Sequence, residues 1–178
     1  MGNRSLFTAA ALALALPAAA AVPEPANLAA GLRAPANEEP SFMLSGNGVY
    51  IYQCRQSPLD PNAYEWGFVA PDATLYEGSR TTARHATVGL YESASDRSSL
   101  SGVVRASQAA GTSNLPWVLM RAQPLSESGL FANVTSIQRV NTVGGAAPAT
   151  GCGPDNTGAE QRVAYQADYY FYKRRGAS

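Results

Sequence analysis

The sequence is short of charge, of histidine and of cysteine. Only 15% of its 178 residues are charged, and 13 basic residues balance 13 acidic ones. A neutral chain lacks the basic surface that draws nucleic acid or anionic membranes, so no nucleic-acid partner is expected. One histidine, His85, excludes the multi-histidine zinc sites, and no metal is expected. The two cysteines, Cys54 and Cys152, are far from the two-residue spacing of redox and zinc pairs. Glycine-rich dinucleotide and phosphate-loop signatures are missing, and with them any reason to expect a cofactor. The serine-hydrolase elbow, Gly-x-Ser-x-Gly, is missing too. No apolar run reaches the roughly 20 residues that span a bilayer as a helix. What is there is hydrophobic. At 46% apolar residues the composition is that of a folded chain, and the length suits one domain with one core.

The first residues read as an export signal over 1–21. Met1-Gly-Asn-Arg4 supplies one positive charge, Leu6 to Leu16 a short apolar stretch, and Ala19 and Ala21 the small residues before cleavage. No cysteine follows to take a lipid, so no stable membrane insertion is expected after cleavage, and the mature chain is expected to be secreted or periplasmic. In an oxidising compartment an even pair of cysteines is most simply a disulfide. Cys54 and Cys152 are 98 positions apart, and closing a loop of that size stabilises a fold by about 4–5 kcal/mol in chain-entropy terms.

Residues 22–40 carry Pro23, Pro25, Pro35 and Pro40 and read as an extended arm, with one possible turn at Leu28–Leu32. Residues 41–173 read as a β domain and 174–178 as a tail. Strands are expected near Phe42–Leu44, Val49–Arg55, Tyr64–Val69, Thr74–Glu77, Ala86–Glu92, Leu100–Ala106, Trp117–Arg121, Leu130–Asn141 and Arg162–Lys173, separated by turn-forming residues. No helix-length segment keeps a 3.6-residue period. The fold class is therefore all-β, single-domain, an antiparallel β-sandwich or a closed or partly open β-barrel, with Trp66 and Trp117 in the core. In the last strand Val163, Tyr165, Ala167, Tyr169 and Phe171 share the core face. Gln166, Asp168, Tyr170 and Tyr172 share the other, where a ligand could stack. An ordinary half-wet sheet face is the simpler reading.

Chemistry is sparse. His85 could act as a base with Asp72 or Asp96 to orient it, giving weak candidates for catalysis. Its simpler role is a local hydrogen bond at the start of a strand. Glu65, Asp72, Glu77, Glu92 and Asp96 could supply a carboxylate pair, as they could in any exported β domain.

Several stretches together resemble a family of exported proteins known as domain of unknown function 3455. They are Gly48-Val-Tyr-Ile-Tyr-Gln-Cys54, Trp66-Gly-Phe-Val-Ala-Pro-Asp-Ala73, His85, Leu115-Pro-Trp-Val-Leu119, Ile137-Gln-Arg-Val-Asn-Thr-Val-Gly-Gly145 and Tyr165-Gln-Ala-Asp-Tyr-Tyr-Phe-Tyr172. The sequence departs from the family at Tyr91-Glu-Ser-Ala-Ser-Asp96-Arg97-Ser98, where tryptophan usually precedes the glutamate and Asp-Gly-Ser follows it. The resemblance implies the fold and the disulfide but no activity. The expected function is a non-enzymatic exported domain binding a small molecule, a glycan or an envelope partner, with Trp66, His85 and Tyr91 as ligand contacts. A secreted hydrolase or lyase using His85 is the alternative. A structural or stress-related envelope protein without a small ligand is a third.

Overall fold

The computed structural model describes residues 22–176, so the expected export signal over 1–21 lies outside the described residues. Eight strands follow the chain: β1 (Glu38–Gln56), β2 (Tyr64–Glu77), β3 (Arg80–Thr87), β4 (Leu90–Ser93), β5 (Ser99–Gln108), β6 (Trp117–Pro124), β7 (Val134–Gly144) and β8 (Glu160–Arg174). Each pairs antiparallel with the next, and β8 returns to β1 over the register Glu38↔Arg174 to Gln53↔Glu160. The sheet is thus a closed up-and-down barrel, which leaves no free edge. Between sandwich and barrel, the long pairing of first strand with last decides for the barrel.

Nine expected strands became eight through two mergers and one split. Phe42–Leu44 and Val49–Arg55 are parts of β1, because Ser45-Gly-Asn-Gly48 continues the strand instead of breaking it. Gly46 is required there by packing. A Cβ on it would stand 2.6 Å from Cε2 of Tyr169, so the glycine makes room for a ring crossing from β8. Tyr64–Val69 and Thr74–Glu77 likewise merge through Pro71. β2 pairs with β3 only from Ala73 to Glu77, so on that side Pro71 has no ladder bond to lose. Ala86–Glu92 divides instead into β3 and β4 around Val88-Gly89, a turn hidden inside an apolar run and made possible by φ +69° at Gly89.

The core face of β8 is the expected one: Tyr165, Ala167, Tyr169 and Phe171 are all buried. Phe42 and Phe131 pack on Phe171, with centroids 4.7 and 5.4 Å away, and close one end of the barrel with Leu100 and Val134. The other side of β8 was expected to be half-wet, and part of it is covered. The N-terminal arm makes a single 3-10 turn at Ala30–Leu32 and lays Leu28 and Leu32 on the outside of the barrel against Val140, Leu119, Trp117 and Tyr170. Gln138 moors it, donating to the Leu32 carbonyl at 2.6 Å and accepting from the Tyr172 hydroxyl at 2.6 Å. Tyr172 is therefore buried and offers no surface for a ligand to stack on. Trp117, expected in the core, is half-buried beneath this arm, whereas Trp66 is buried.

Arg97 occupies the position where the family resemblance expects glycine, and the backbone shows why. Its φ is +61°, the left-handed region that costs a side-chain-bearing residue about 1–2 kcal/mol. Its exposed ion pair with Glu92, at 2.9 Å, returns little of that. Arg97→Gly is therefore expected to raise stability by about 1 kcal/mol, read as a higher urea midpoint; an unchanged or lower midpoint would refute strain at this turn.

Candidate functional site

The barrel is filled at one end and hollow at the other. Beside the Val88-Gly89 turn, where the β2–β3 and β3–β4 ladders are short, a cavity of about 490 Å3 opens between β1–β7. That volume falls within the ordinary range of small-molecule sites, roughly 300–1,000 Å3. Its rim is apolar and wet: Phe68, Val88, Val103 and Val104 are between 39% and 61% exposed. Four exposed apolar side chains around one opening form a patch rather than a scatter of single residues.

The floor is polar and dry. Arg139 enters from β7, 7% exposed, because the alternation that buries Ile137 at the barrel axis also turns residue 139 inward. Its Nη1 donates to the Tyr50 hydroxyl and its Nη2 to the Pro116 carbonyl at 2.9 Å. Its Nε is buried with no partner, and among the described residues no carboxylate pairs with the guanidinium. A guanidinium keeps its proton in any protein environment, so a full positive charge sits among rings.

His85 enters from β3 beside Ala73 and is 4% exposed. Its ring lies flat on Tyr91, with centroids 4.2 Å apart, and meets the edge of Tyr169 at 6.3 Å. Burial, and then the Arg139 charge, push its pKa down to about 3, so the imidazole is neutral at ordinary pH. Its Nδ1 is buried and unpartnered. Burial likewise raises the phenols of Tyr91 and Tyr169 well above their usual value. The floor thus holds one cation, one neutral imidazole and neutral phenols.

The expected site residues separate into four places. His85 and Tyr91 meet on this floor. Trp66 does not: it packs with Tyr52 and Cys54 around the disulfide and donates from Nε1 to the Thr150 carbonyl at 2.9 Å, holding the glycine-rich loop. The two carboxylates proposed to orient His85 make no hydrogen bond to it. Asp72 lies on the outer face of β2, bound to Arg162 at 2.8 Å and Arg84 at 3.3 Å, while His85 points inward. Asp96 is a loop clasp. It accepts from the backbone N–H of Ser98 at 2.9 Å and of Leu130 at 2.8 Å; the Ser98 hydroxyl first, and then these backbone bonds, hold its carboxyl far below the usual range. Sequence reasoning missed Arg139, Tyr50 and Phe68. Its one available signal for Arg139 was an arginine two residues after Ile137 on an otherwise apolar strand face. Among the described residues, no group of three or more His, Cys, Asp or Glu side chains converges as a metal site would require. No helix among them is long and apolar enough to cross a membrane.

A closed eight-stranded antiparallel barrel with a polar floor under an apolar mouth belongs to the small barrels whose interior is filled by side chains or by one small ligand. The chain is a member of the family described as protein of unknown function DUF3455, whose model matches residues 35–96 and 80–173. No curated protein matches it, and no solved structure does.

Proposed function

We propose that this protein is an exported, disulfide-stapled barrel that binds a small molecule in the cavity at its open end. The cavity carries the proposal: unpartnered buried polar atoms on Arg139 and His85 lie beneath a rim of exposed apolar side chains. Such an arrangement leaves desolvated polar groups without compensation until something fills the space. Export is supported by the signal-like 1–21 segment and by the disulfide, which suits an oxidising compartment. For the hydrolase or lyase alternative, His85 lacks the orienting carboxylate that such chemistry asks for among the described residues.

The test is a thermal-shift screen of small molecules, run on the wild type and on Gly102→Leu. A Cβ on Gly102 would stand 3.3 Å from Ile137, 3.4 Å from Met120 and 3.5 Å from Tyr91, so a longer side chain there grows into the cavity. A true ligand at a hundredfold excess over Kd adds about 2.7 kcal/mol, a rise of roughly 5–10 °C for a domain of this size. The filled variant is expected to lose the shift. A shift that survives Gly102→Leu would place binding elsewhere.

A further inference from the structure

Resting on the reading of this cavity as a ligand site, we propose that the ligand is a small apolar monocarboxylate, its anionic group paired with Arg139 and its hydrocarbon body against the rim. The charge requirement comes from the floor. A guanidinium has five N–H donors, of which Arg139 uses one to Tyr50 and one to Pro116, and the buried Nε–H has no acceptor. Burying an ion without a counter-ion is among the costliest arrangements in a protein. The chain has 13 Asp and Glu side chains, yet among the described residues none pairs with this arginine. A planar fork with free donors matches the paired oxygens of a carboxylate or of a phosphate group.

The number of charges narrows the class further. Among the described residues Arg139 is the only cation lining the cavity, and the neutral His85 adds a possible N–H donor but no second charge. One positive charge suits a monoanion, whereas a phosphate dianion would arrive with a charge left over. The rim argues against a sugar. Phe68, Val88, Val103 and Val104 offer apolar contact and no hydrogen bonds from their side chains, which fits an alkyl or aryl body.

A matched pair of probes decides the matter. Decanoate and decan-1-ol have the same hydrocarbon length and differ in the charged head; each is titrated calorimetrically at pH 7.5, below micellar concentrations. Wild type, Arg139→Met, Arg139→Lys and Gly102→Leu are compared. Decanoate is expected to bind the wild type at least tenfold more tightly than decan-1-ol. Arg139→Met should weaken decanoate at least tenfold and abolish its advantage over decan-1-ol, and Arg139→Lys should keep part of the preference. If Arg139→Met does not fold, the wild-type pair and the lysine variant still decide. Equal binding of the two probes to the wild type would overturn the anion inference and leave the cavity reading standing. Binding of neither probe, or binding that Gly102→Leu leaves unchanged, would overturn the cavity reading and the inference with it.

Discussion

Replacing Cys54 and Cys152 together by serine is expected to lower the stability of the barrel by about 4–5 kcal/mol, roughly 10–20 °C in Tm. The bond closes a loop of 98 positions, with Cα atoms 5.3 Å apart, and ties the end of β1 to the loop between β7 and β8. Without it that loop gains freedom in the unfolded chain, where most of the effect lies. The folded barrel keeps its other moorings. Cys54 N–H donates to the Ala159 carbonyl at 2.9 Å, Gly158 N–H to the Cys54 carbonyl at 2.8 Å, and the Tyr52 hydroxyl to the Gly145 carbonyl at 2.6 Å. The double variant should therefore retain the strand signal in circular dichroism while its urea midpoint falls. Cys54 is fully buried under Trp66 and Tyr52 whereas Cys152 is half-buried, so attack by a thiol reductant at the Cys54 sulfur should wait until the protein opens. A loss under about 1 kcal/mol, or two titratable thiols in the denatured, unreduced protein, would contradict the staple.

Acid is expected to weaken the barrel through His85. In the unfolded chain its imidazole titrates near 6.5, and in the barrel burial and the Arg139 charge hold it down to about 3. Between those values the unfolded chain carries one proton more than the native one. The contribution of the neutral imidazole is thus complete above about pH 6.5 and is lost as pH falls towards 3. The slope is about 1.4 kcal/mol per pH unit and the whole span on the order of 4–5 kcal/mol. His85→Phe keeps a ring to stack on Tyr91 and has nothing to protonate. Its stability, measured by urea unfolding from pH 7 to pH 4, should fall less steeply than the wild type's by about one proton. Carboxylates such as Asp96 titrate in both proteins and cancel in the difference. Parallel curves would show that His85 is not buried neutral.

What the sequence made legible follows from how strongly each pattern is tied to geometry. The period-two run Val163 to Phe171 named the core face of β8, because in a strand alternate side chains have no choice of side. The cysteine pair was readable from compartment and count. The strand ends were less so. Ser45-Gly-Asn-Gly48 looks like a turn, but Gly46 admits the ring of Tyr169 from a strand more than a hundred positions later and Gly48 lets β2 approach at Asp72 and Ala73, contacts local sequence does not carry. Val88-Gly89 shows the converse, a turn hidden in an apolar run.

The candidate site was half legible. His85 and Tyr91 stood out as a lone histidine and as a departure from the family pattern, and the barrel stacks them on each other. Trp66 was equally conspicuous and belongs to the disulfide cluster instead. Arg139 was hidden by the habit of placing arginine in solvent. β7 is buried on both sides, by the barrel interior at Ile137 and Arg139 and by the arm at Gln138 and Val140. Gln138 and Arg139 are thus buried on opposite faces, one by the arm and one by the cavity wall, and neither covering is local in sequence. Asp72 and Asp96 failed as partners of His85 because nearness in sequence does not fix the side of the sheet. Asp72 is one residue from Ala73, which faces His85 across the ladder, and that single step turns its carboxyl to the outside.

Binding inside the barrel is most directly tested on two methyl groups. Met120 lines the cavity, while Met43 lies on the outer side of β1 with 36% of its surface exposed. In protein labelled with 13C-methyl methionine and titrated with decanoate, the Met120 resonance should move to saturation while that of Met43 stays in place. Movement of Met43 with Met120 still, or no movement of Met120 at saturating decanoate, would contradict an interior ligand site.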